Sequence, residues 1–343
     1  MSKRTVLASV LESTGITDLA LGLQRRVGTP WLRIVTFHRA RVDGDPSFPF
    51  DEGVIDITPH QLARRLDMVR KFFTPIGTDE MLAHLGGASL PPNPILISFD
   101  DGYRDNFDVV LPLLKRHGVK AVFFIATAYV TERRLFWWDR INYIVKHATR
   151  TAIHVVYPIE FRLNMSTPGA RRAAITWLIQ LVKQAARLDL PRFLDELAEA
   201  AGVPWTPQLE RRLADENVMT WDQVRALRAA GMDVESHTRT HRVLQTLDAR
   251  ELTTELLGSR EELESEVGTP VRAISYPVGH RIDDRADIRA ALVRAGYQIG
   301  FTNATHPPPM RVPDRYDVGR IAMDSGTSDS VFRALLAAPS LFS

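Results

Sequence analysis

The sequence predicts an α/β fold in which parallel strands close into a barrel. Three times, a helix-like segment ends in a glycine and an apolar strand-like segment follows it; these glycines are Gly118, Gly231 and Gly296. Glycine suits the left-handed position just past a helix end, and strands that are apolar on both faces are typical of buried parallel sheets. Six or seven such strands, with polar residues at many strand ends, favour a barrel over an open sheet.

The N-terminal residues 1–30 predict one amphipathic helix that packs on the domain. The apolar stretch Val6–Leu11 is too short for a signal peptide and is interrupted at once by Glu12. Arg25 and Arg26 leave a membrane-surface role open as the alternative. No stretch approaches the ~18 apolar residues of a membrane span. The expected compartment is therefore the cytoplasm, with a membrane-peripheral location as the second reading.

Residues 31–130 and 218–324 carry the alternating pattern of the predicted barrel. Strand candidates besides those that follow the three glycines are Leu32 to Phe37, Ile95 to Phe99 and Val271 to Tyr276. Two helix starts are marked by a capping threonine with glutamine three residues later, at Thr58–Gln61 and Thr220–Gln223.

Residues 131–217 break this pattern and predict a helical insertion beside the carboxyl edge of the sheet. Most of the segment has helical periodicity, and one polar–apolar alternation (AIHVVYPIEFRL) predicts a small hairpin or edge strand. The insertion is interpreted as a lid, a partner surface or an accessory cover of the barrel. Residues 325–343 predict a C-terminal tail with one short helix.

The composition excludes several classes of function. The chain has 343 residues, a net charge of +2 and no cysteine. The charge gives no electrostatic case for nucleic acid as a partner. The lack of cysteine excludes disulfide scaffolds, thiolate metal sites and cysteine nucleophiles.

Two short motifs carry the predicted chemistry. Asp100 and Asp101 follow one strand-like run, and His237 and His241 follow another. One carboxylate and two imidazoles make a three-ligand set for a metal such as zinc, with a fourth position for water. The second carboxylate stays free to take a proton from that water, as a metal-dependent hydrolase requires. Both motifs stand at strand ends, where the sites of α/β proteins gather.

The same motifs resemble those of the polysaccharide deacetylases of carbohydrate esterase family 4, which share the nodulation-type deacetylase domain. The matching stretches are SFDDG at 98–102, SHTRTH at 236–241 and YPVG at 276–279. The resemblance covers roughly residues 32–130 and 218–323. It implies a distorted (β/α) barrel of about seven strands and the removal of N-acetyl groups from amino sugars.

The resemblance also implies roles for individual residues. Asp100 becomes the general base, and Asp101, His237 and His241 become the metal ligands. The first strand end, VTFHRA, is similar to a histidine motif that some branches of the family carry at the front of the domain, which makes His38 the general acid. The YPVG stretch implies that Tyr276, Pro277 and Gly279 line the pocket.

Two further residues are candidates for substrate contacts. Trp138, at the predicted barrel mouth, can stack on a sugar face, although only one of Trp137 and Trp138 is expected to do so. Arg104, just after the Asp-Asp-Gly turn, is the second candidate.

The chain departs from the family pattern at two places. An arginine that often precedes the Tyr-Pro segment and orients the base is missing, and Arg272 or Arg320 is expected to replace it. The usual Leu-x-His near the C-terminus is absent, so His280 and His306 are rivals of His38 as the acid. The remaining histidines, His60, His84, His117, His147 and His154, are expected to play no part in the site.

The leading hypothesis is a hydrolase that removes N-acetyl groups from N-acetylglucosamine-type units of an oligo- or polysaccharide or a lipid-linked saccharide. The expected cofactor is one divalent metal: zinc, with cobalt, nickel or manganese as alternatives. A small non-sugar amide or ureide is the alternative substrate. A barrel that binds a saccharide without turnover is the third hypothesis.

Overall fold

Seven parallel strands close into a barrel in the computed structural model, which describes residues 3–28, 31–42, 45, 47–303 and 314–338. The strands in chain order are β1 (Arg33–Phe37), β2 (Arg39–Ala40), β3 (Ile55–Ile57), β4 (Thr74–Ile76), β5 (Pro94–Phe99), β6 (Val122–Ile125), β7 (Ala152–Val155), β8 (Phe161–Asn164), β9 (Asp233–Ser236), β10 (Ala273–Ser275), β11 (Ile299–Asn303) and β12 (Val318–Ala322). The order around the barrel is β1, β12, β11, β10, β9, β6 and β5, and β5 pairs with β1 to close it. The predicted barrel of about seven strands is confirmed.

Helices surround the barrel and fill the insertion. They are α1 (Lys3–Ser13), α2 (Ile16–Val27), α3 (Pro59–Phe72), α4 (Thr78–Leu85), α5 (Leu111–His117), α6 (Thr127–Glu132), α7 (Trp137–Lys146), α8 (Pro168–Gln184), α9 (Leu190–Ala201), α10 (Pro207–Asn217), α11 (Trp221–Ala229), α12 (Ala249–Val267), α13 (Ala286–Arg294) and α14 (Asp329–Ala337). Both predicted capping boxes form, at the starts of α3 and α11. Gly118, Gly231 and Gly296 all adopt positive φ, as a left-handed helix end requires.

The barrel strands are buried on both faces, and each face belongs to a different core. One core, made of side chains such as Ile34, Leu96, Phe124 and Phe301, fills the barrel interior. A larger core, which includes the intervening residues of the same strands, packs under the helices. This division follows from the two-residue period of a strand.

Polar residues replace the apolar ones at the carboxyl end of the interior. Leu96 on β5 is followed on the same face by Ser98 and then Asp100, and Val318 on β12 is followed by Arg320. All the barrel strands are parallel, so these polar ends meet at one edge. The barrel therefore brings chemistry-bearing side chains together at its carboxyl edge.

The predicted insertion, residues 131–217, holds helices α7 to α10 and the antiparallel hairpin β7–β8. The hairpin lies at the polar–apolar alternation seen in the sequence. Helix α7 contacts α8 and α9, and α10 leads back to the barrel, where Val218 bridges Tyr103.

The N-terminal segment differs from the prediction of one helix. It forms two helices, α1 and α2, bent by 75° relative to each other. The break falls at Gly15, whose φ of 72° lies outside the helical region. Among the described residues, no single helix is long and apolar enough to cross a membrane, and this bent pair meets that test only when its two helices are taken together. The predicted tail helix is present as α14.

Candidate active site and metal centre

Asp101, His237 and His241 form a compact group at the carboxyl edge of the barrel. One potential ligand atom from each lies within 4.8 Å of the other two. The Asp101 carboxylate oxygen Oδ1 is 3.4 Å from Nε2 of both histidines, is buried, and has no hydrogen-bond partner among the described residues. A buried anionic oxygen left without a donor is a costly arrangement, and a cation between these three groups would satisfy it. The donor set fits a divalent metal of the zinc type.

The surroundings of both imidazoles favour a neutral ring with a nitrogen lone pair available to a metal. The Nδ1 atom of His237 lies 2.7 Å from the carbonyl oxygen of Ser275. A carbonyl can only accept, so Nδ1 carries the proton and Nε2 keeps its lone pair for a metal. Burial, followed by the neighbouring His237, lowers the pKa of His241 to about 3, which keeps that ring neutral. Burial alone acts to raise the pKa of Asp101, but the adjacent His237 and the other imidazoles hold it below its usual value.

A buried glutamate on α12 fixes the turn between the two histidines. The Glu255 Oε2 atom accepts hydrogen bonds from the backbone N–H groups of Arg239 (2.9 Å) and Thr240 (2.8 Å), and Oε1 accepts from the Thr240 hydroxyl. Thr238 and His241 both have positive φ in this turn. Glu255 thus holds a strained turn in the shape that points both rings at Asp101.

Arg320 binds the predicted base, Asp100, with two parallel hydrogen bonds. Its Nη1 and Nη2 atoms lie 2.8 and 2.7 Å from the two carboxylate oxygens. The same guanidinium donates to the hydroxyls of Ser98 and Ser275 and to the side-chain oxygen of Asn303. Burial acts to raise the pKa of Asp100, but Arg320 outweighs it and holds that pKa well below its usual range. Of the two candidate arginines, Arg320 is therefore the one that binds Asp100.

Arg272, the other candidate for that place, lies elsewhere. Its guanidinium pairs with Asp79, and Asp79 lies in the first turn of α4. Arg272 precedes β10 and therefore stands at the amino end of the barrel, away from Asp100.

His38, directly after β1, lies in the same cavity as Asp100 and Asp101. Its Nδ1 atom is 2.9 Å from Oδ2 of Asp56, and its backbone N–H donates to the same oxygen. Burial acts to lower the pKa of His38, but Asp56, with Asp101 and Asp100 behind it, raises that pKa to about 10. The imidazole is thus held in its protonated form, with Nε2 free as a proton donor.

The cavity over these residues has a volume of about 410 Å³, and its outer wall comes from the insertion. One face of α8 contributes Ile175, Thr176, Ile179, Gln180 and Lys183. The loop before β3 contributes Asp51, Gly53 and Val54. Helix α8 of the insertion therefore forms part of the candidate site.

Two of these wall residues are charged groups whose pKa values are shifted. Burial lowers the pKa of the Lys183 ammonium, and Asp51 opposes that shift. Burial raises the pKa of Asp51. Lys183 has no ion pair or hydrogen bond with any other described residue, so its donors are available to a ligand in the cavity.

Trp138 lines the cavity, as Trp137 does, but its ring offers little open face to a sugar. It is 4% exposed, and its indole packs against Phe136 (4.9 Å) and against His241 (4.4 Å between ring centroids). Its N–H donates to Tyr103, and the Tyr103 hydroxyl donates to Asp139. The tryptophan therefore supports a metal ligand, and Trp137 is equally buried.

The remaining predicted contacts divide between the cavity and other places. Tyr276 and Gly279 line the cavity, whereas Pro277 does not. Gly279 has a φ of 70°, and a Cβ atom there would lie 2.4 Å from Cβ of Asn303, so only glycine fits. Arg104 also lies outside the cavity and bonds Asp108 and the carbonyl of Asp215 instead.

The rival histidines do not join the site. His280 is exposed and does not line the cavity, and His306 lies outside the described residues. The five histidines that were expected to play no part are absent from the metal-type group found in the described part of the chain.

Several residues of the site have no motif in the sequence. Asp56, Glu255 and the α8 wall stand in segments whose patterns predict only secondary structure. A charged residue in the middle of a buried strand, as at Arg320, is the one signal that could have indicated a partner in the barrel interior.

Comparison with known proteins gives a family match over most of the chain. The model of the family described as polysaccharide deacetylase matches residues 87–185 and 189–300. A Bacillus subtilis (strain 168) protein, YxkH, which is named as a polysaccharide deacetylase by inference, is 29% identical over 79 residues. That match spans 23% of this chain and 28% of the relative's length.

Solved structures share the fold. The deacetylase PplD of Streptococcus pyogenes, solved with acetate, aligns with a TM-score of 0.57 at 16% identity, covering 88% of this chain and 96% of PplD. IcaB of Ammonifex degensii aligns with a TM-score of 0.55 at 17% identity, covering 90% and 98%. The deacetylase domain of BpsB from Bordetella bronchiseptica has a TM-score of 0.50 at 21% identity, covering 86% and 96%.

Proposed function

The chain belongs to the polysaccharide deacetylase family, and from that membership we propose that it hydrolyses the N-acetyl amide of an amino sugar. The single observation that carries the proposal is the buried group of Asp101, His237 and His241 next to a separate carboxylate, Asp100. A saccharide-binding barrel without turnover has no need of that second carboxylate beside a metal site. The substrate class is an N-acetylglucosamine-type unit.

Asp101, His237 and His241 would hold one divalent metal, with zinc as the expected ion. A metal bound there supplies a Lewis acid for the acyl oxygen and lowers the pKa of a bound water. Asp100 accepts the proton of the attacking water on a carboxylate oxygen. Arg320 keeps Asp100 ionised and fixes the plane of its carboxylate.

The leaving nitrogen needs a proton before the C–N bond breaks, and His38 supplies it. Its Nδ1 atom is engaged by Asp56, so Nε2 is the atom that hands the proton over. Because the pKa of His38 is raised, the imidazole carries that proton at neutral pH. Asp56 thus orients the acid and Arg320 orients the base.

The walls of the cavity support a short or terminal sugar unit as substrate. Exposed aromatic platforms along a groove would suit a long polymer, but Trp137, Trp138 and Tyr276 are all nearly buried. The α8 face instead offers two isoleucines with Gln180 and Lys183. An oligosaccharide end or a lipid-linked saccharide fits this arrangement better than the middle of a polymer.

The lack of exposed aromatic faces in the cavity is also the observation that favours the second candidate, a small non-sugar amide or ureide. Such a substrate would use the same metal group, base and acid. Unlike a sugar, it would have no hydroxyl groups for Asp51 or Lys183 to bind. Comparing the hydrolysis of N-acetylated sugars with that of small amides separates the two candidates.

The test is acetate release by metal-loaded protein from N-acetylated amino-sugar oligomers, nucleotide sugars and lipid-linked sugars. Asp100→Asn serves as the control, and it should lower the rate by about 10²- to 10⁴-fold while leaving metal binding intact. Release from a sugar that fails in the control supports the proposal. Failure on every sugar, together with hydrolysis of a small amide, would replace it with the second candidate.

A further inference from the structure

The N-terminal segment carries a concentration of exposed large apolar side chains. Thirteen such side chains occur among the described residues, and eight of them lie between residues 6 and 31. They are Val6, Leu7, Val10, Ile16, Leu19, Leu23, Val27 and Trp31. Scattered exposed apolar residues are ordinary, but a contiguous cluster marks a contact surface.

Helix α2 has two distinct faces. Thr17 and Leu21 are buried against the domain, and the side-chain amide of Gln24 donates to the carbonyl of Ala337 at 2.8 Å. The opposite stripe, Ile16, Leu19, Leu23 and Val27, recurs at three- and four-residue spacing and so stays on one side. Leu19 is 74% exposed and Val27 is 71% exposed, which means that the domain leaves this stripe uncovered.

Helix α1 repeats the arrangement on a smaller scale. Ala8 is fully buried, whereas Val6 and Val10, on the other side of the helix, are 49% and 51% exposed. The bend at Gly15 means that α1 and α2 cannot enter a bilayer as one straight rod. A pair of short helices fixed to a domain by one face each can lie on a bilayer surface.

Basic residues border the apolar stripe at the end of α2. Arg26 is exposed and flanks Leu23 and Val27, and Nη1 of Arg25 lies 3.4 Å from the carbonyl of Arg70 at the end of α3. Lys71 follows and is 62% exposed. The side chains of Arg25, Arg26, Arg70 and Lys71 give this border four positive charges. Among described side chains, the only carboxylate in contact with them is Asp18, which lies 3.1 Å from Lys71. The border is therefore net positive.

We propose that the exposed faces of α1 and α2 dock on the surface of an anionic lipid bilayer. An apolar stripe, an excess of arginine and lysine beside it, and a tryptophan at its end are the features of helices that lie in a membrane interface. A second copy of the chain is a poorer occupant, because it would bring its own positive border to the same place.

Docking in this way leaves the candidate site accessible. Gln24 of α2 accepts a hydrogen bond from Arg33 at 2.7 Å, and Arg33 starts β1 at the amino end of the barrel. The site lies at the carboxyl ends of the strands. The cavity therefore faces away from the end of α2 and stays open to substrate.

The test is co-sedimentation of the full chain with vesicles of phosphatidylcholine alone and of phosphatidylcholine mixed with phosphatidylglycerol. Leu19→Glu combined with Leu23→Glu should reduce binding to the mixed vesicles by roughly 10- to 100-fold. The matched control is Val156→Glu with Ile159→Glu, two exposed apolar residues (65% and 53%) near the β7–β8 turn, and it should bind as the unmodified chain does. Arg26→Glu should weaken binding to mixed vesicles and leave binding to neutral ones unchanged.

The proposal is overturned if the unmodified chain fails to bind the mixed vesicles, or if the Leu19/Leu23 variant binds as well as the control. Equal binding to both vesicle types would refute the anionic specificity. Light scattering without lipid tests the competing occupant: a dimer that the Leu19/Leu23 change dissociates, with no vesicle binding, would assign the face to self-association. Leu19→Gln combined with Leu23→Gln is a milder variant of the same face. Circular dichroism should show that it folds as the unmodified chain does, so that any loss of binding is not due to misfolding. Vesicle binding needs no catalysis, so the result is independent of the proposed deacetylase activity.

Discussion

Arg320 is the residue on which the candidate base depends. Its guanidinium is fully buried, and it binds both oxygens of a carboxylate that is 1% exposed. Neither charge has water to stabilise it, so each needs the other. The pair lies 220 residues apart in sequence, and only the closure of the barrel, with β1 between β5 and β12, brings them together.

Replacing Arg320 with methionine should destabilise the protein and abolish activity. The substitution leaves Asp100 as an unpaired buried charge, which costs about 3–5 kcal/mol of unfolding free energy. Urea unfolding followed by circular dichroism measures that change. Arg320→Lys keeps a charge but loses the paired hydrogen bonds. Its free energy of unfolding should therefore lie between those of the parent and the methionine variant. A methionine variant as stable as the parent would show that the pair is not needed.

The pH dependence of the reaction should report on the His38–Asp56 pair. The pKa of His38 is raised to about 10, so the acid is protonated below that pH and activity should fall as pH rises through it. The stabilisation that the pair gives to folding is likewise present below the unfolded histidine's pKa and is lost as pH rises towards the folded value.

Asp56→Asn should move the alkaline limb of the pH–rate profile to lower pH. The asparagine can still accept from His38 but carries no charge, so the pKa of the imidazole falls. Asp67→Asn is the matched control, because Asp67 pairs with His117 at 2.9 Å on the outside of the protein. An unchanged alkaline limb in Asp56→Asn would remove His38 from the role of acid.

At this scale the sequence predicted that Asp100, Asp101, His237 and His241 lie together, but not every residue that holds them in place. These four residues stand in short motifs at strand ends, which the barrel brings to one edge. Asp56 and Arg320 act from other strands or loops, and contacts of that kind depend on the folded barrel rather than on local pattern. The departure from the family pattern indicated Arg272 or Arg320 as the arginine beside the base, but the sequence could not choose between them.

Helix α12 supports the turn between the two histidines most directly through Glu255, which accepts three hydrogen bonds from it. Glu255→Gln keeps the shape of the side chain but removes the charge that accepts two backbone N–H groups and a hydroxyl. Metal affinity should fall by about 10- to 100-fold, as it does when outer-shell partners of metal ligands are lost. Competition with a coloured chelator measures the affinity.

The control for this change is Glu251→Gln, one turn earlier on the same helix. Glu251 completes the capping box with Asp248 and lies 3.9 Å from Arg242. It does not bond the backbone of the histidine turn, so its replacement should leave metal affinity unchanged. Equal losses in both variants would mean that α12 as a whole, and not the contact with the histidine turn, sets the affinity.

Helix α8 should determine substrate binding rather than the chemical step. Lys183→Ala removes an unpaired cation from the cavity wall and should raise KM by about 10-fold with little change in kcat. Gln184→Ala is the matched control, because Gln184 is exposed and does not line the cavity. A fall in kcat without a change in KM would contradict the assignment of α8 to binding.

Some helices and strands could be predicted from the sequence and others could not. Caps and glycine ends predicted α3, α11 and the strands after Gly118, Gly231 and Gly296 correctly, because those signals are local. The same reasoning missed the break at Gly15, since an isolated glycine in an apolar helical pattern is often tolerated. It also could not decide whether the insertion is a lid, a partner surface or an accessory cover, because no local signal gives the direction of its helices relative to the barrel.

In the whole molecule, the candidate site and the exposed faces of α1 and α2 lie toward different ends of the barrel. The carboxyl edge holds the Asp101, His237 and His241 group with Asp100 and His38 beside α8, and Arg33 at the start of β1 bonds Gln24 of α2. The barrel class was predictable because the alternation of strand and helix recurs along the chain. Its closure through β1 and β5, and hence the meeting of Asp100 with Arg320, was not encoded in any single segment.

Titration of the metal-free protein with zinc, with acetate release from N-acetylglucosamine oligomers measured at each ratio, tests the central claim most directly. The rate should rise in proportion to zinc and stop rising at one equivalent per chain, and Asp101→Ala should show neither the rise nor the break. Full activity without metal, or an unchanged titration in Asp101→Ala, would contradict the claim that Asp101, His237 and His241 form the centre of a metal-dependent deacetylase.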